Sequence, residues 1–201
     1  MPLLEKRRTV EKRFVSDDDF DNLYPISMQD LTCRHWTRLH VAKKAACFLA
    51  AESNVRILDI GSGIGKFCLS AAYYKPNAFY YGVEQRGYLI NHAENAKEIL
   101  GLENVSFIHG NFTQLDFTNY DHFYFYNAFY ENLAYTDKID DSIDYSGELY
   151  NYYNRYLYKQ LEKMPPATRL ATFHSMEDEV PKEYHVVGSD MDGLLKYWIK
   201  I

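Results

Sequence analysis

The chain has only three cysteines, Cys33, Cys47 and Cys68, and no Cys-x-x-Cys spacing. An odd set without a pattern supplies neither a disulfide framework nor a zinc site, so the thiols read as buried groups in a reducing cytosol. The seven histidines show no closely spaced pair, and no metal site is expected. No apolar run is long enough to span a membrane, and the N-terminus, with Glu5-Lys6-Arg7-Arg8, lacks the apolar segment of a signal peptide. The expectation is a cytoplasmic protein with no membrane partner. A basic surplus is missing too. The formal net charge is −6, which disfavours a dedicated duplex-binding face because phosphate neutralisation needs clustered cations. Ser62 stands in Gly-Ser-Gly rather than Gly-x-Ser-x-Gly, which argues against a triad hydrolase.

At 201 residues, 47% of them hydrophobic, the chain suits one domain with a real core. Residues 1–30 read as an N-terminal arm or cap, 31–53 as a leading helix and 54–201 as the core. Five basic groups (Lys6, Arg7, Arg8, Lys12, Arg13) face Glu5 and Glu11, and Asp17-Asp18-Asp19 and Asp21 follow. Alternating blocks of this kind usually form a solvated or frayed arm.

The most informative stretch is residues 55–67, VRILDIGSGIGKF. A buried-strand run stops at Asp59-Ile60-Gly61-Ser62-Gly63-Ile64-Gly65, and a helical pattern follows at once. Glycines at alternate positions let the backbone turn sharply and approach a ligand. The helix start behind them offers free N–H groups and a positive dipole end. A dinucleotide fingerprint wants the third glycine one position later, where Lys66 stands.

Downstream positions fill in order. The run Ala78–Val83 ends at Glu84, nineteen residues after Gly65, where a carboxylate can accept hydrogen bonds from both ribose hydroxyls of a nucleoside. A third run, Val105–Ile108, leads into Gly110-Asn111-Phe112; a fourth, Phe123–Tyr126, leads into Asn127-Ala128-Phe129-Tyr130-Glu131-Asn132.

The spacing Asp-x-Gly-x-Gly-x-Gly resembles the first motif of class I S-adenosylmethionine-dependent methyltransferases, a likeness that extends over about residues 54–201. It implies S-adenosyl-L-methionine as cofactor, held by Asp59, Gly61, Ser62, Gly63, Gly65, Glu84, Gln85, Asn111, Phe112 and Asn127. In such proteins an acidic residue followed by an apolar one binds and stacks on adenine. Here Asn111 replaces the acid and keeps an acceptor oxygen. Residues 127–130 resemble the Asn-Pro-Pro-aromatic motif of enzymes that methylate amino or amide nitrogen, with Ala128 and Phe129 in place of the prolines. By that resemblance Asn127 and Tyr130 are catalytic, and Phe129 and Tyr130 contact substrate. Four patches also resemble histone-lysine methyltransferases of the disruptor-of-telomeric-silencing type. A closer likeness is to uncharacterised bacterial methyltransferase-domain proteins, through His35-Trp36-Thr37, Gly65-Lys66-Phe67, Glu84-Gln85-Arg86 and Phe129–Asn132.

The rest of the chain supports a Rossmann-like methyltransferase fold, a seven-stranded, mostly parallel sheet with helices on both faces and a C-terminal antiparallel hairpin. Thr37 is placed to cap a helix running to about Ala51, packed on the sheet edge or over the cleft. Tyr24, Trp36 and Thr37 are candidates for the pocket wall. Ile64, Cys68, Ala71 and Ala72 mark the next helix, Leu89–Leu100 another closed by Gly101, and Leu149–Met164 a third stopped by Pro165-Pro166. The two last runs, Tyr184–Val187 and Leu194–Ile199, flank an Asp192-Gly193 turn, a strong hairpin signal.

Residues 131–146 are long for a connection and hold Glu131, Asp137, Asp140, Asp141 and Asp144 against Lys138 alone. They read as a solvated loop, or as a negative mouth attracting cationic acceptors. The expected reaction is methyl transfer to a heteroatom, foremost the nitrogen of a small amine or protein lysine. A nucleobase amino group, an oxygen, or a catalytically silent binding module are the alternatives, and the protein is expected to be a monomer or weak dimer. Tyr130, Glu131 and His174 are candidates for removing a proton from the nucleophile.

Overall fold

A computed structural model describes residues 16–175 and 177–201; the basic run at 5–13 lies outside them. Seven strands form one sheet: β1 (Arg56–Ile60), β2 (Phe79–Glu84), β3 (Val105–His109), β4 (His122–Tyr126), β5 (Arg169–Phe173), β6 (Tyr184–Asp190) and β7 (Leu195–Lys200). Their order is β3-β2-β1-β4-β5-β7-β6, with β1 to β5 parallel and β7 antiparallel to both its neighbours. The central strands are buried on both faces, as parallel strands require.

The helices are α1 (Asp17–Asp21), α2 (Ile26–Gln29), α3 (Thr32–His35), α4 (Leu39–Leu49), α5 (Lys66–Tyr74), α6 (Gly87–Leu100) and α7 (Gly147–Lys163). Alternation along the strands sorts the core into two layers. Ile57, Tyr80, Tyr124 and Ala171 pack with Leu49, Phe67 and Leu89 of α4, α5 and α6. Leu58, Ile60, Phe123, Phe125 and Leu170 pack with Tyr153, Leu157 and Leu161 of α7. Gly101 at φ +64 closes α6, as expected of a left-handed cap.

Four expectations need correction. Thr37 does not cap α4: its hydroxyl bonds to the Tyr124 hydroxyl at 3.1 Å, and Asp17 Oδ1 accepts the Leu39 N–H at 3.0 Å instead. The cap therefore comes from another helix, invisible to local pattern. That helix, α4, lies on a sheet face against β4, β5, β7 and α5 rather than on the edge. The Asp17–Asp21 block is not a frayed arm, because Asp17 and Asp21 both pair with buried Lys66 at 2.7 Å. Cys47 is exposed rather than buried. The hairpin turn is as expected: Asp190 pairs with Leu195, so Asp192-Gly193 stand at the centre of the 191–194 loop, where Met191, Asp192 and Gly193 hold φ +53, +54 and +84.

Candidate active site

The site opens where β1, β2 and β4 end at their carboxyl edge, the crevice that a sheet of this winding leaves at its topological switch point. The glycine loop bends back against β2, with the Gly61 and Ser62 N–H groups both on the Val83 carbonyl at 3.0 and 2.9 Å. Its close approaches demand glycine. A Cβ on Gly61 would lie 2.3 Å from the Ala128 Cβ, and one on Gly63 would lie 2.4 Å from the Trp36 ring. Both sit at positive φ, +77 and +54, where L side chains are strained. Gly61 thus brings the loop directly onto the Asn127 turn, and Gly63 brings it onto the N-terminal segment. Tyr24 supports the loop from behind, its hydroxyl donating to the Ile64 carbonyl at 3.0 Å.

Glu84 ends β2 with a buried carboxylate that accepts the Gly63 N–H at 3.2 Å and the Arg86 N–H at 2.9 Å. Burial pushes its carboxyl above the ordinary range, while the Arg86 N–H, the Arg86 charge and the Gly63 N–H oppose that rise. The cavity, about 480 Å³, runs from Gly61, Gly63 and Glu84 to Asn127, Ala128, Phe129 and Tyr130. Asn127 holds φ +40, a left-handed conformation that Asn tolerates better than most residues. Its carbonyl accepts the Tyr130 N–H at 3.0 Å, which curls the turn, and its side-chain amide has no partner among the described residues. Phe129 stacks on Phe112, with ring centroids 4.9 Å apart, and Tyr130 is half exposed at the rim.

Arg86 organises the opposite rim. Its guanidinium, almost fully buried, reaches Glu84 Oε1 at 3.5 Å, Asp140 Oδ1 at 3.2 Å, the Tyr145 hydroxyl at 2.6 Å and Glu131 Oε2. Burial opposes its charge, but Glu131 and Glu84 more than compensate and hold it firmly cationic. Tyr88 donates to Asp140, whose carboxyl is held below the usual range: burial opposes this, but hydrogen bonds from Ser142, Tyr88 and Arg86 prevail. Arg34 pairs with Asp137 at 2.8 Å. The 131–146 loop is therefore not a freely solvated loop, and three of its five carboxylates are in ion pairs. The mouth stays negative, with Glu84, Glu131, Asp137 and Asp144 against Arg34 and Arg86.

Gly61, Gly63, Glu84, Gln85, Phe112, Asn127, Phe129 and Tyr130 line the cavity together. Asp59, Ser62, Gly65 and Asn111 do not. Asp59 is buried beneath the loop, 3.7 Å from Cys68 Sγ, and Ser62 Oγ is buried with no partner among the described residues. Gly65 caps α5 with its α-carbon facing Phe107 and Ala93. The Asn111 oxygen expected for adenine instead accepts the Thr113 N–H at 3.0 Å and hydroxyl at 2.9 Å, while its amide donates to Gln85 and Tyr153. The turn after β3 uses that oxygen as its own cap. His174 lines the wall, as do Trp36 and the unforeseen His35, Arg86 and Tyr126; Tyr24 and Thr37 lie outside it. A lone Arg after a strand and a lone His before a helix carry no spacing signal.

Residues 51–155, about half of the chain, match the sequence profile of a family described as methyltransferase domain. A tRNA (guanine-N(7)-)-methyltransferase of Microcystis aeruginosa is 43% identical over 54 residues, 27% of this chain and 26% of that protein. The chain thus spans about a quarter of the length of the curated relatives it matches. TrmN from Thermus thermophilus superposes with a TM-score of 0.60 at 16% identity, over 86% of this chain and 52% of that one. An RNA methyltransferase from Salinibacter ruber, solved with S-adenosyl-L-homocysteine, gives 0.54 at 19% identity, over 81% and 89%. These superpositions establish the same fold.

Proposed function

We propose, for a chain that belongs to the methyltransferase-domain family, transfer of a methyl group from S-adenosylmethionine to a nitrogen nucleophile seated at the Asn127 turn. One observation carries the reading: Gly61 packs against Ala128, so the cofactor loop and the acceptor turn share one cleft. The residues present suit an adenosine bearing a sulfonium. Glu84 offers its carboxylate to ribose hydroxyls, and Phe112 and Gln85 border the side where the adenine would lie.

The sulfonium is already a good electrophile, so the protein's task is to align nucleophile, methyl carbon and sulfur. Such alignment can lower a barrier by roughly 7–11 kcal/mol. The unpartnered Asn127 amide oxygen accepts a hydrogen from the attacking nitrogen and aims its lone pair, while Phe129 and Tyr130 border the acceptor. Four carboxylates against two guanidinium groups favour a cationic acceptor, an amine or lysine side chain, over a phosphate backbone.

A second reading has its own support. The matching curated relatives are named as tRNA guanine-N7 methyltransferases, which favours a nucleobase nitrogen as acceptor. Calorimetry with S-adenosylmethionine and S-adenosylhomocysteine tests the cofactor assignment; no heat from folded protein rejects it. Isotope-labelled cofactor supplied to extract lacking the protein tests the acceptor. Label in small amines or protein supports the first reading, and label confined to tRNA supports the second.

A further inference from the structure

His35 ends α3 and lines the cavity, its Nδ1 3.7 Å from Glu131 Oε1. Neither partner is loosely held. The Glu131 carboxylate accepts the Ile139 N–H at 3.1 Å through Oε1 and binds Arg86 through Oε2. His35 is followed by Trp36, whose indole donates to the Met28 carbonyl at 3.0 Å and whose ring meets the glycine loop at Gly63. At 3.7 Å the contact is electrostatic and not a hydrogen bond, but a fixed negative charge beside Nδ1 favours the tautomer with its proton there, leaving Nε2 as an acceptor.

Resting on the proposed methyl transfer, we infer that His35 is the general base of the reaction and that the acceptor is a protonated amine. Nε2 takes a proton from the ammonium group, and the Glu131 charge beside Nδ1 stabilises the imidazolium that forms. The freed lone pair forms the N–C bond to the methyl carbon while the C–S bond breaks and its electron pair returns to sulfur. The products are the N-methylammonium, which carries the positive charge the sulfonium gave up, and neutral-sulfur S-adenosylhomocysteine, and the imidazolium releases its proton to water. Guanine N7 carries no proton to remove, so a base at this position has work only with a protonated nucleophile.

The charges around the ring are mixed. Glu131 and Asp137 from the loop favour the imidazolium, while Arg86 and Arg34 oppose it. Burial outweighs the carboxylates and lowers the His35 pKa, so the ring is neutral near pH 7. The other cavity histidine, His174, lies against Tyr126 and Phe173, with no carboxylate beside it among the described residues.

The test uses the full chain saturated with S-adenosylhomocysteine and 15N-labelled at histidine. Nitrogen NMR should show His35 protonated at Nδ1 and titrating below about 6.5, and Glu131→Gln should disturb that tautomer. A proton on Nε2, or an imidazolium persisting above that pH, overturns the inference. Turnover is then followed with labelled cofactor and putrescine, spermidine, a lysine peptide and unmodified tRNA. His35→Asn should bind S-adenosylhomocysteine as the wild type does, lose about a hundredfold or more in amine methylation, and lose the pH limb set by the imidazole. Label reaching tRNA alone, or His35→Asn turning over with an unchanged pH profile, overturns it. Failure of the wild type to bind S-adenosylhomocysteine rejects the methyl-transfer reading itself, a separate result.

Discussion

Lys66 Nζ lies 2.7 Å from Asp21 Oδ1, and the lysine side chain is 1% exposed. It also reaches Asp17 Oδ1 at 2.7 Å, the oxygen that caps α4. One buried ammonium therefore ties α1 to the start of α5, directly behind the glycine loop. Removing one partner of such a pair leaves a buried charge uncompensated, which costs about 3–5 kcal/mol. In a domain of this size that is a fall in Tm of roughly 6–20 °C. Lys66→Met should show it by differential scanning calorimetry, and a melting point within about 2 °C of wild type would show that the clamp contributes little.

Asp59 predicts a pH dependence of stability. Burial, with a smaller push from the Glu84 charge and against the Cys68 hydrogen bond, moves its carboxyl up to about 8. The unfolded chain has it near the ordinary value of about 3.9. The folded state therefore holds this proton more tightly, and the stability it contributes is full below about pH 4 and lost as pH rises to about 8. Asp59→Asn has no proton to lose there. Urea unfolding at pH 5, 6.5 and 8 should show wild type losing a few kcal/mol relative to Asp59→Asn. Parallel curves for the two proteins would mean that Asp59 is ionised throughout.

Gly63 separates two contributions at one contact. Gly63→Ala places a methyl 2.4 Å from the Trp36 ring and keeps φ at +54. Backbone strain of about 1–2 kcal/mol is expected from the conformation alone, with the clash added to it. Gly63→Ala/Trp36→Ala should recover the clash but not the strain, on top of the cost of Trp36→Ala itself. Unfolding free energies of all four proteins form the double-mutant cycle, and strict additivity would place the two residues out of contact.

Much of this was legible in the sequence because it depends on local rules. The apolar runs ending at Ile60, Val83, Ile108 and Tyr126 marked parallel strands, and Gly101 and Pro165 marked helix ends. Gly61, Gly63, Glu84 and the Asn127 turn fall into one cleft because each stands at the carboxyl end of a strand in that sheet. What escaped is what depends on partners far along the chain. Asp17 capping α4, Lys66 joining α1, and Arg86 gathering Glu131, Asp140 and Tyr145 are tertiary choices with no periodic trace. Asn111 shows the opposite case: the residue type suited adenine, but the turn two residues on claimed its oxygen.

The Asn127 turn permits a sharper test than alanine alone. Asn127→Ala removes the amide but also puts alanine at φ +40, so a loss of activity would mix chemistry with backbone strain. Asn127→Gly removes the same amide and accepts that conformation freely. If the amide oxygen aims the acceptor lone pair, both variants should lose kcat by about a hundredfold or more, of the order seen when one aligned transition-state contact is removed. Affinity for S-adenosylhomocysteine should barely change, because Gly61, Gly63 and Glu84 remain in place. Near-normal turnover in Asn127→Gly, with only Asn127→Ala impaired, would reduce Asn127 to a turn former. The positioning would then fall to the backbone carbonyls that follow it, and a left-handed Asn at the end of β4 would need no chemical explanation.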